Sequence, residues 1–314
     1  MLSRTADHLF WMSRFIERAE SLARILDAHY RHALLPHTAD VVARDWRATL
    51  ASLGVLDTYL ARHGAFRPAT AFQFLAFDRD HRGSICACLR EARENARAVR
   101  GTIPSEMWET LNTTWLELRA FEREPADAAI GDFLEWVRYR AHLSRGVTLG
   151  TMLRDEAFRF TRIGTFLEGA DATARMLLAR ARPGAVPADD PAGPDAYAWT
   201  LLLRSLSAFE VYRKVYRDAV TPWRVTELLV LRDDLPRSLH RCINEVYANL
   251  CAIANDQSAE TERRAGALHA TFRFGRLDQL AGHGLSEFLE GFLGRLRDLG
   301  ARIAQDFLVP ATTY

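Results

Sequence analysis

The sequence predicts an all-α protein, a helical bundle of two tandem halves with about six helices each, related by an approximate two-fold axis. Three observations carry this. Apolar residues recur at the helical period through almost the whole chain, as in Phe15, Ala19, Leu22 and Leu26 at i, i+4, i+7 and i+11. Strand-like alternation between turn residues is scarcely found. And one helix is written twice: LFWMSRFIERAESLARIL at 9–26 recurs as FTRIGTFLEGADATARML at 160–177, matching Phe15 to Phe166, Glu17 to Glu168, Glu20 to Asp171 and Arg24 to Arg175.

The repeat runs on. At a spacing of 153 residues Trp46 pairs with Trp199, Ser52 with Ser205, Asp57 with Glu210 and Tyr59 with Tyr212. At 154, Pro68 pairs with Pro222, Ser84 with Ser238 and Cys88 with Cys242. At 155, Phe133-Leu134-Glu135 pairs with Phe288-Leu289-Glu290. A unit of half the chain is far longer than a solenoid repeat of ~20–50 residues. The halves are therefore taken as 1–150 and 151–314.

Periodicity and breakers place the helices in order. The first half is expected to have them at 3–33, 41–62, 70–76, 84–100, 105–122 and 128–146, separated at Pro36, Gly64 to Pro68, Gly101 to Pro104 and Glu124-Pro125. The second half is expected to have them at 152–181, 196–218, 223–231, 236–254, 257–274 and 285–307. A loop over 182–196, with four prolines and two glycines from Pro183 to Asp195, interrupts the second half. No long linker occurs near Arg145–Thr151, so 1–314 is expected to form a single domain.

Composition excludes several function classes. Hydrophobic content of 48% and charged content of 26% fit a soluble globular protein. A net charge of +1 suggests no nucleic-acid partner. No apolar run approaches the ~18 residues of a membrane span. The chain enters directly into an amphipathic helix carrying Asp7, Glu17 and Glu20, unlike a targeting peptide. The expectation is therefore cytoplasmic. Lys214 is the sole lysine, so Schiff-base chemistry would rest on it alone, and the phosphate-binding P-loop pattern is absent. Cys86, Cys88, Cys242 and Cys251 form no Cys-x-x-Cys pair and read as small buried hydrophobes.

Glu17, Glu20 and Arg24 lie within about 60° of one another on a helix, opposite the apolar stripe, and Glu168, Asp171 and Arg175 repeat them. Two readings stand open. One is a solvated face of ion pairs worth ~0.2–0.5 kcal/mol each. The other is a buried polar seam between the halves, where a charge must be paired. Features present in one copy alone are better candidates for function: Arg204 and Arg213, and the segment Ala92 to Arg97 with its Arg93, Glu94, Asn95 and Arg97. Metal and catalytic templates fit poorly. The repeated carboxylates neighbour arginine rather than the histidine of a Glu-x-x-His metal site, and His29 and His32 have no repeat partner. No nucleophile-elbow or dinucleotide motif occurs. No metal site and no cofactor are expected.

Five segments in order resemble the alpha-E family of bacterial helical proteins, named for a Glu-Arg motif. They are Phe10-Trp11 with Arg14 to Glu20, Ala92 to Arg97, Met152 to Glu156, Arg204-Ser205 with Ala208-Phe209-Glu210, and Leu235-Pro236-Arg237-Ser238. The resemblance covers nearly the whole chain. It maps the motif to Glu17-Arg18, whose second-copy counterpart is Glu168-Gly169. It implies a genomic neighbourhood with a circularly permuted ATP-grasp ligase and a transglutaminase-like protein, and a link to peptide or amide-bond formation.

Two functions follow as expectations. The first is an accessory protein that binds such a ligase, the transglutaminase-like protein or a peptide substrate, clamping anionic groups with arginines such as Arg18, Arg93, Arg97, Arg204 and Arg237. The wider set of ligand-binding candidates adds Glu94, Asn95, Arg154, Asp155, Glu156, Ser205 and Tyr212. The second is an enzyme in which Glu17, Glu168 or Glu210 is the general acid or base and Arg18 or Arg154 stabilises an anion.

Overall fold

The computed structural model describes residues 1–33, 39–123, 130–181, 194–280, 282 and 284–309. Among these the chain forms helices and no strand. In the first half they are α1 (Ser3–Ala33), α2 (Ala39–Ser52), α3 (Leu56–His63), α4 (Pro68–Ala76), α5 (Ile85–Ala98), α6 (Ser105–Arg123) and α7 (Ile130–Thr151). In the second they are α8 (Glu156–Ala181), α9 (Pro194–Ser205), α10 (Phe209–Tyr216), α11 (Pro222–Leu231), α12 (Leu239–Ala252), α13 (Ala259–Arg273), α14 (Leu277–Leu280) and α15 (Leu285–Phe307).

The repeated helices α1 and α8 pack along each other and carry the rest. Helices α5 and α7 lie on α1, and α12 and α15 lie on α8. Close approach is made possible by Gly164, where a Cβ would stand 2.3 Å from the Phe10 carbonyl oxygen and 2.2 Å from Ser13 Oγ. Every residue of α1 from Ala19 to His29 is buried. The apolar stripe is covered as expected, and so is the opposite, charged face. Helix α1 also threads both cores. Its Leu9, Phe10 and Met12 join the larger one with α8, α12 and α15, whereas Ala19, Leu22 and Leu26 join the smaller one with Trp46, Phe74 and Phe133.

Two expected helices are each broken in two, and at matching positions. The span 41–62 is interrupted after Ser52, where Gly54 takes φ +72° and the Val55 and Gly54 amides donate to the Leu50 and Ala51 carbonyls at 3.0 Å. The span 196–218 is interrupted after Ser205. There Ser207 takes φ +54°, and the Ala208 and Ser207 amides donate to Leu203 and Arg204 at 2.8 and 3.0 Å. Both are Schellman closures, which satisfy the last carbonyls of a helix by one left-handed residue. Apolar residues continue across both breaks, so periodicity alone reads straight through them.

Three smaller differences follow. Helix α7 extends to Thr151 rather than residue 146, and the turn Met152–Asp155 leads into α8. The short α14 was not anticipated. Cys251 is exposed, although Cys86, Cys88 and Cys242 are buried. Pro36, Pro125 and residues 182–193 of the Pro-rich loop lie outside the described residues; Pro194 already opens α9.

Several residues kept in both copies have structural work. Ser84 and Ser238 cap α5 and α12, accepting from the Ala87 and Arg241 amides. Pro68 and Pro222 open α4 and α11, where a missing amide costs nothing. Tyr59 and Tyr212 are fully buried and bond the backbone leading into those helices, at Arg67 and at Ala219 with Thr221.

Candidate functional site

The Glu17/Glu20/Arg24 face is a buried polar seam, not a solvated one. The three residues are 4%, 0% and 7% exposed. Three elements close over them: α7 with Arg145, the segment before α12 with Arg237, and the α9–α10 turn with Ser207. Arg237 donates through Nη1 to Glu17 Oε1 at 2.5 Å, and its Nη2 lies 2.9 Å from Glu20 Oε1. Arg24 donates to Glu20 Oε1 from Nε at 3.0 Å and from Nη2 at 2.7 Å, and to Ser207 Oγ from Nη1. Arg145 reaches Glu17 Oε2 at 3.1 Å and also bonds Glu20. Beside them, His142 Nε2 is 3.2 Å from Arg24 Nη2.

Charge is thus met by charge, as burial demands. Burial pushes the Glu20 carboxyl up, but Arg237, Arg145 and Arg24 together more than reverse this and hold it far below the usual carboxylate range. Its neighbour Glu17 shares two of those arginines, yet burial and the Glu20 charge leave its carboxyl raised. Burial and the three arginines depress His142, outweighing Glu20, so its neutral form is favoured.

The second copy is built differently. Glu168 is 5% exposed, and both its arginines come from α1. Arg14 donates through Nε at 2.7 Å, and Arg18 donates through Nε at 2.6 Å and Nη2 at 3.1 Å. Burial raises the Glu168 carboxyl and the two guanidiniums bring it below its ordinary value. Arg14 also stacks over Trp11 at 4.8 Å. Asp171 and Arg175, the counterparts of Glu20 and Arg24, are only partly covered and pair with each other at 2.6 Å.

These residues border a cavity of about 250 Å³. Arg18, Glu168, Asp171, Arg175 and His81 give it polar groups; Leu22, Ile25, Leu53, Val55 and Leu75 give it apolar ones. Ser21, Gly83 and Ala172 complete the lining. The His81 ring stacks on Phe74 at 4.3 Å, and burial lowers its affinity for a proton.

The structure brings together Glu17 with Arg237, and Arg18 with Glu168. The other candidates lie apart from both groups. Arg93 donates to Glu94 at 2.5 Å and Asn112 at 3.1 Å and covers the Trp108 ring, and Arg97 pairs with Glu94 at 2.8 Å. Asn95 bonds His8 and the Glu91 carbonyl. Arg154 is exposed, Asp155 accepts from the Phe158 amide at the start of α8, and Glu156 pairs with the Met1 amino group. Arg204 is exposed and stacks over Phe209 at 4.6 Å. Ser205 is buried and bonds the Leu201 carbonyl, while Tyr212 spends its hydroxyl on the backbone. Glu210 is exposed in the first turn of α10. His29 is a core residue, 2.6 Å from Thr49 Oγ1 and stacked on Trp46; the side chain of His32 lies outside the described residues.

Sequence reading missed Arg14, Arg145 and His142. Arg14 had a signal, since it stands one turn before Arg18 on the same face. Arg145 and His142 had none, because they reach α1 from more than a hundred residues away. Among the described residues no group of histidine, cysteine and carboxylate side chains is arranged to hold a metal ion. Nor is any described helix long and apolar enough to cross a membrane.

Uncharacterized proteins of Mycobacterium bovis and of two Mycobacterium tuberculosis strains are each 26% identical to the chain over 322 aligned residues. The match covers 94% of the chain and 36% of each relative, so the chain spans about a third of the length of the curated relatives it matches. No solved structure matches it significantly. Residues 1–308 match the family called Alpha-E, described as a predicted alpha-helical domain with a conserved ER motif. With all described elements helical and the Glu17-Arg18 motif carried on α1, the chain belongs to the Alpha-E family.

Proposed function

We propose that the protein is a non-catalytic accessory component of a cytoplasmic system that forms or modifies peptide or amide bonds. It binds an ATP-grasp-type ligase, or the peptide on which that ligase acts. The observation that carries this reading is the occupancy of the acidic residues. Glu17 and Glu168 each accept from two arginines in a buried setting, while a cavity stays open beside them. A general base needs an accessible lone pair within reach of the proton it takes. A carboxylate saturated by guanidinium groups is instead a fixed part of a scaffold. The alternative, an enzyme using Glu17, Glu168 or Glu210, draws less support, because Glu210 is exposed and borders none of the cavities described.

The same reading includes an approximate two-fold relation between the halves. A second cavity, of about 40 Å³, supports it. Ten of its eleven lining residues form five repeat pairs: Ile25 with Met176, His29 with Arg180, Ala48 with Leu201, Thr49 with Leu202 and Ser52 with Ser205. A cavity on a two-fold axis is lined in this way.

Co-expression with a circularly permuted ATP-grasp ligase, the partner that the family resemblance implies, tests the proposal. The expected result is a complex that survives gel filtration, or a change in the ligase's rate when the chain is added. The absence of both a complex and a rate change would overturn it.

A further inference from the structure

The repeat allows the two sides of the seam to be compared position by position, and they differ by a reciprocal exchange. Arg18 corresponds to Gly169, at a spacing of 151. Gly83 corresponds to Arg237, at the spacing of 154 that also relates Ser84 to Ser238. Each buried glutamate therefore has one arginine from this pair of positions. Glu168 receives it from the helix, through Arg18; Glu17 receives it from the segment before the capping serine, through Arg237.

The exchange leaves unequal space. Arg237 lies against Glu17, Glu20 and Ser21. Their counterparts Glu168, Asp171 and Ala172 all line the 250 Å³ cavity, as does Gly83 itself. The Arg237 guanidinium has no counterpart on that side: Gly83 stands at its position, with the His81 ring 2.9 Å from where a Cβ would be, and the cavity lies beside them.

We infer that this cavity is a binding site for an amino acid-sized unit with an aliphatic side chain and a carboxylate, such as the leucine at the end of a peptide. Its size lies just below the ~300–1,000 Å³ of ordinary small-molecule sites, which suits one residue or two. Leu22, Ile25, Leu53, Val55 and Leu75 offer the side chain an apolar floor. The polar wall offers donors. Among the described residues Arg18 spends Nε and Nη2 on Glu168, and Arg175 spends Nε on Asp171. This leaves Arg18 Nη1 and both terminal nitrogens of Arg175 for a carboxylate, the anion that guanidinium geometry fits best. Asp171 beside them takes the ligand's amine or amide N–H.

The inference rests on the accessory reading for its peptide chemistry, but its test needs no ligase. Calorimetric titration of the purified chain with glycyl-leucine, N-acetyl-leucine and leucinamide is the measurement. Binding of the first two and at least tenfold weaker binding of leucinamide, which lacks the carboxylate, is expected. Ala172→Phe fills the cavity and is expected to abolish binding. Arg175→Ala, at a partly exposed position that leaves folding intact, is expected to weaken glycyl-leucine about tenfold or more. No binding of any probe at millimolar concentration, equal binding of leucinamide, or unchanged affinity in Arg175→Ala would overturn the inference. Failure here with a stable ligase complex would remove the cavity assignment alone. Success here without such a complex would remove the accessory role alone.

Discussion

Glu20 is the residue on which the seam depends most. It is wholly buried and faces Arg24, Arg145 and Arg237 at once. Glu20→Gln keeps the shape and removes the charge, leaving three guanidiniums with Glu17 as their remaining carboxylate. Breaking one side of a buried charge network costs about 3–5 kcal/mol, and the urea-denaturation midpoint should fall accordingly. The pH dependence follows from the same groups. Glu20 and Glu168 have carboxyls held below their ordinary value of 4.5. Their contribution to stability is complete above that value and is lost as pH falls through the lower folded values. Glu17, with its raised carboxyl, contributes with the opposite sign. The midpoint of the parent protein should therefore drop on acidification below about pH 4.5, and that of Glu20→Gln should drop less.

Among the elements, the α1–α8 contact is the tightest. A methyl group at Gly164 would meet the Phe10 carbonyl oxygen at 2.3 Å, a main-chain atom that moves only if α1 moves. Gly164→Ala should destabilise by about 1–3 kcal/mol, the cost of overpacking a filled interior, although alanine is the better helix former. A thermal melt that rose instead would show that the helices part cheaply. The same scale shows what the sequence discloses. Helix 285–307 is read to the residue because its apolar stripe is uninterrupted and turn residues precede it. The breaks at Gly54 and Ser207 escape notice because hydrophobic residues flank both and a left-handed serine has no compositional mark. The charged triplet is found through its repetition. Its burial is not, because Arg145, Arg237 and Ser207 cover it from distant parts of the chain, and no local pattern encodes what lands on a helix face.

At the scale of the whole molecule, the repeated sequence positions show both likeness and difference. Caps, buried tyrosines and opening prolines are kept in both halves because each half must solve the same local problems. The arginines are redistributed because a guanidinium can meet a buried glutamate from either direction, from the packed helix as Arg18 does or from a preceding loop as Arg237 does. Legibility follows that division. Repeated packing residues declare themselves by matching, whereas Gly83 in the cavity wall gains significance only when its counterpart Arg237 is seen pressed against Glu17 and Glu20.

Helix α1 begins in one core and ends in the other. The sharing runs one way among the described residues: 1–150 also gives the larger core Ala96, Val99, Ile103, Met107 and Leu111, while the smaller core is built wholly from residues 19–137. Cutting the chain at the turn after Thr151 would leave the smaller core whole within 1–151 and deprive the larger one of what α1, α5 and α6 contribute. Residues 152–314 alone would expose the apolar surface that Leu9, Phe10 and Met12 cover. Produced separately, the fragment 152–314 should lack a cooperative melt, and adding 1–151 should restore one. A sharp transition in 152–314 by itself would show that the second half stands independently.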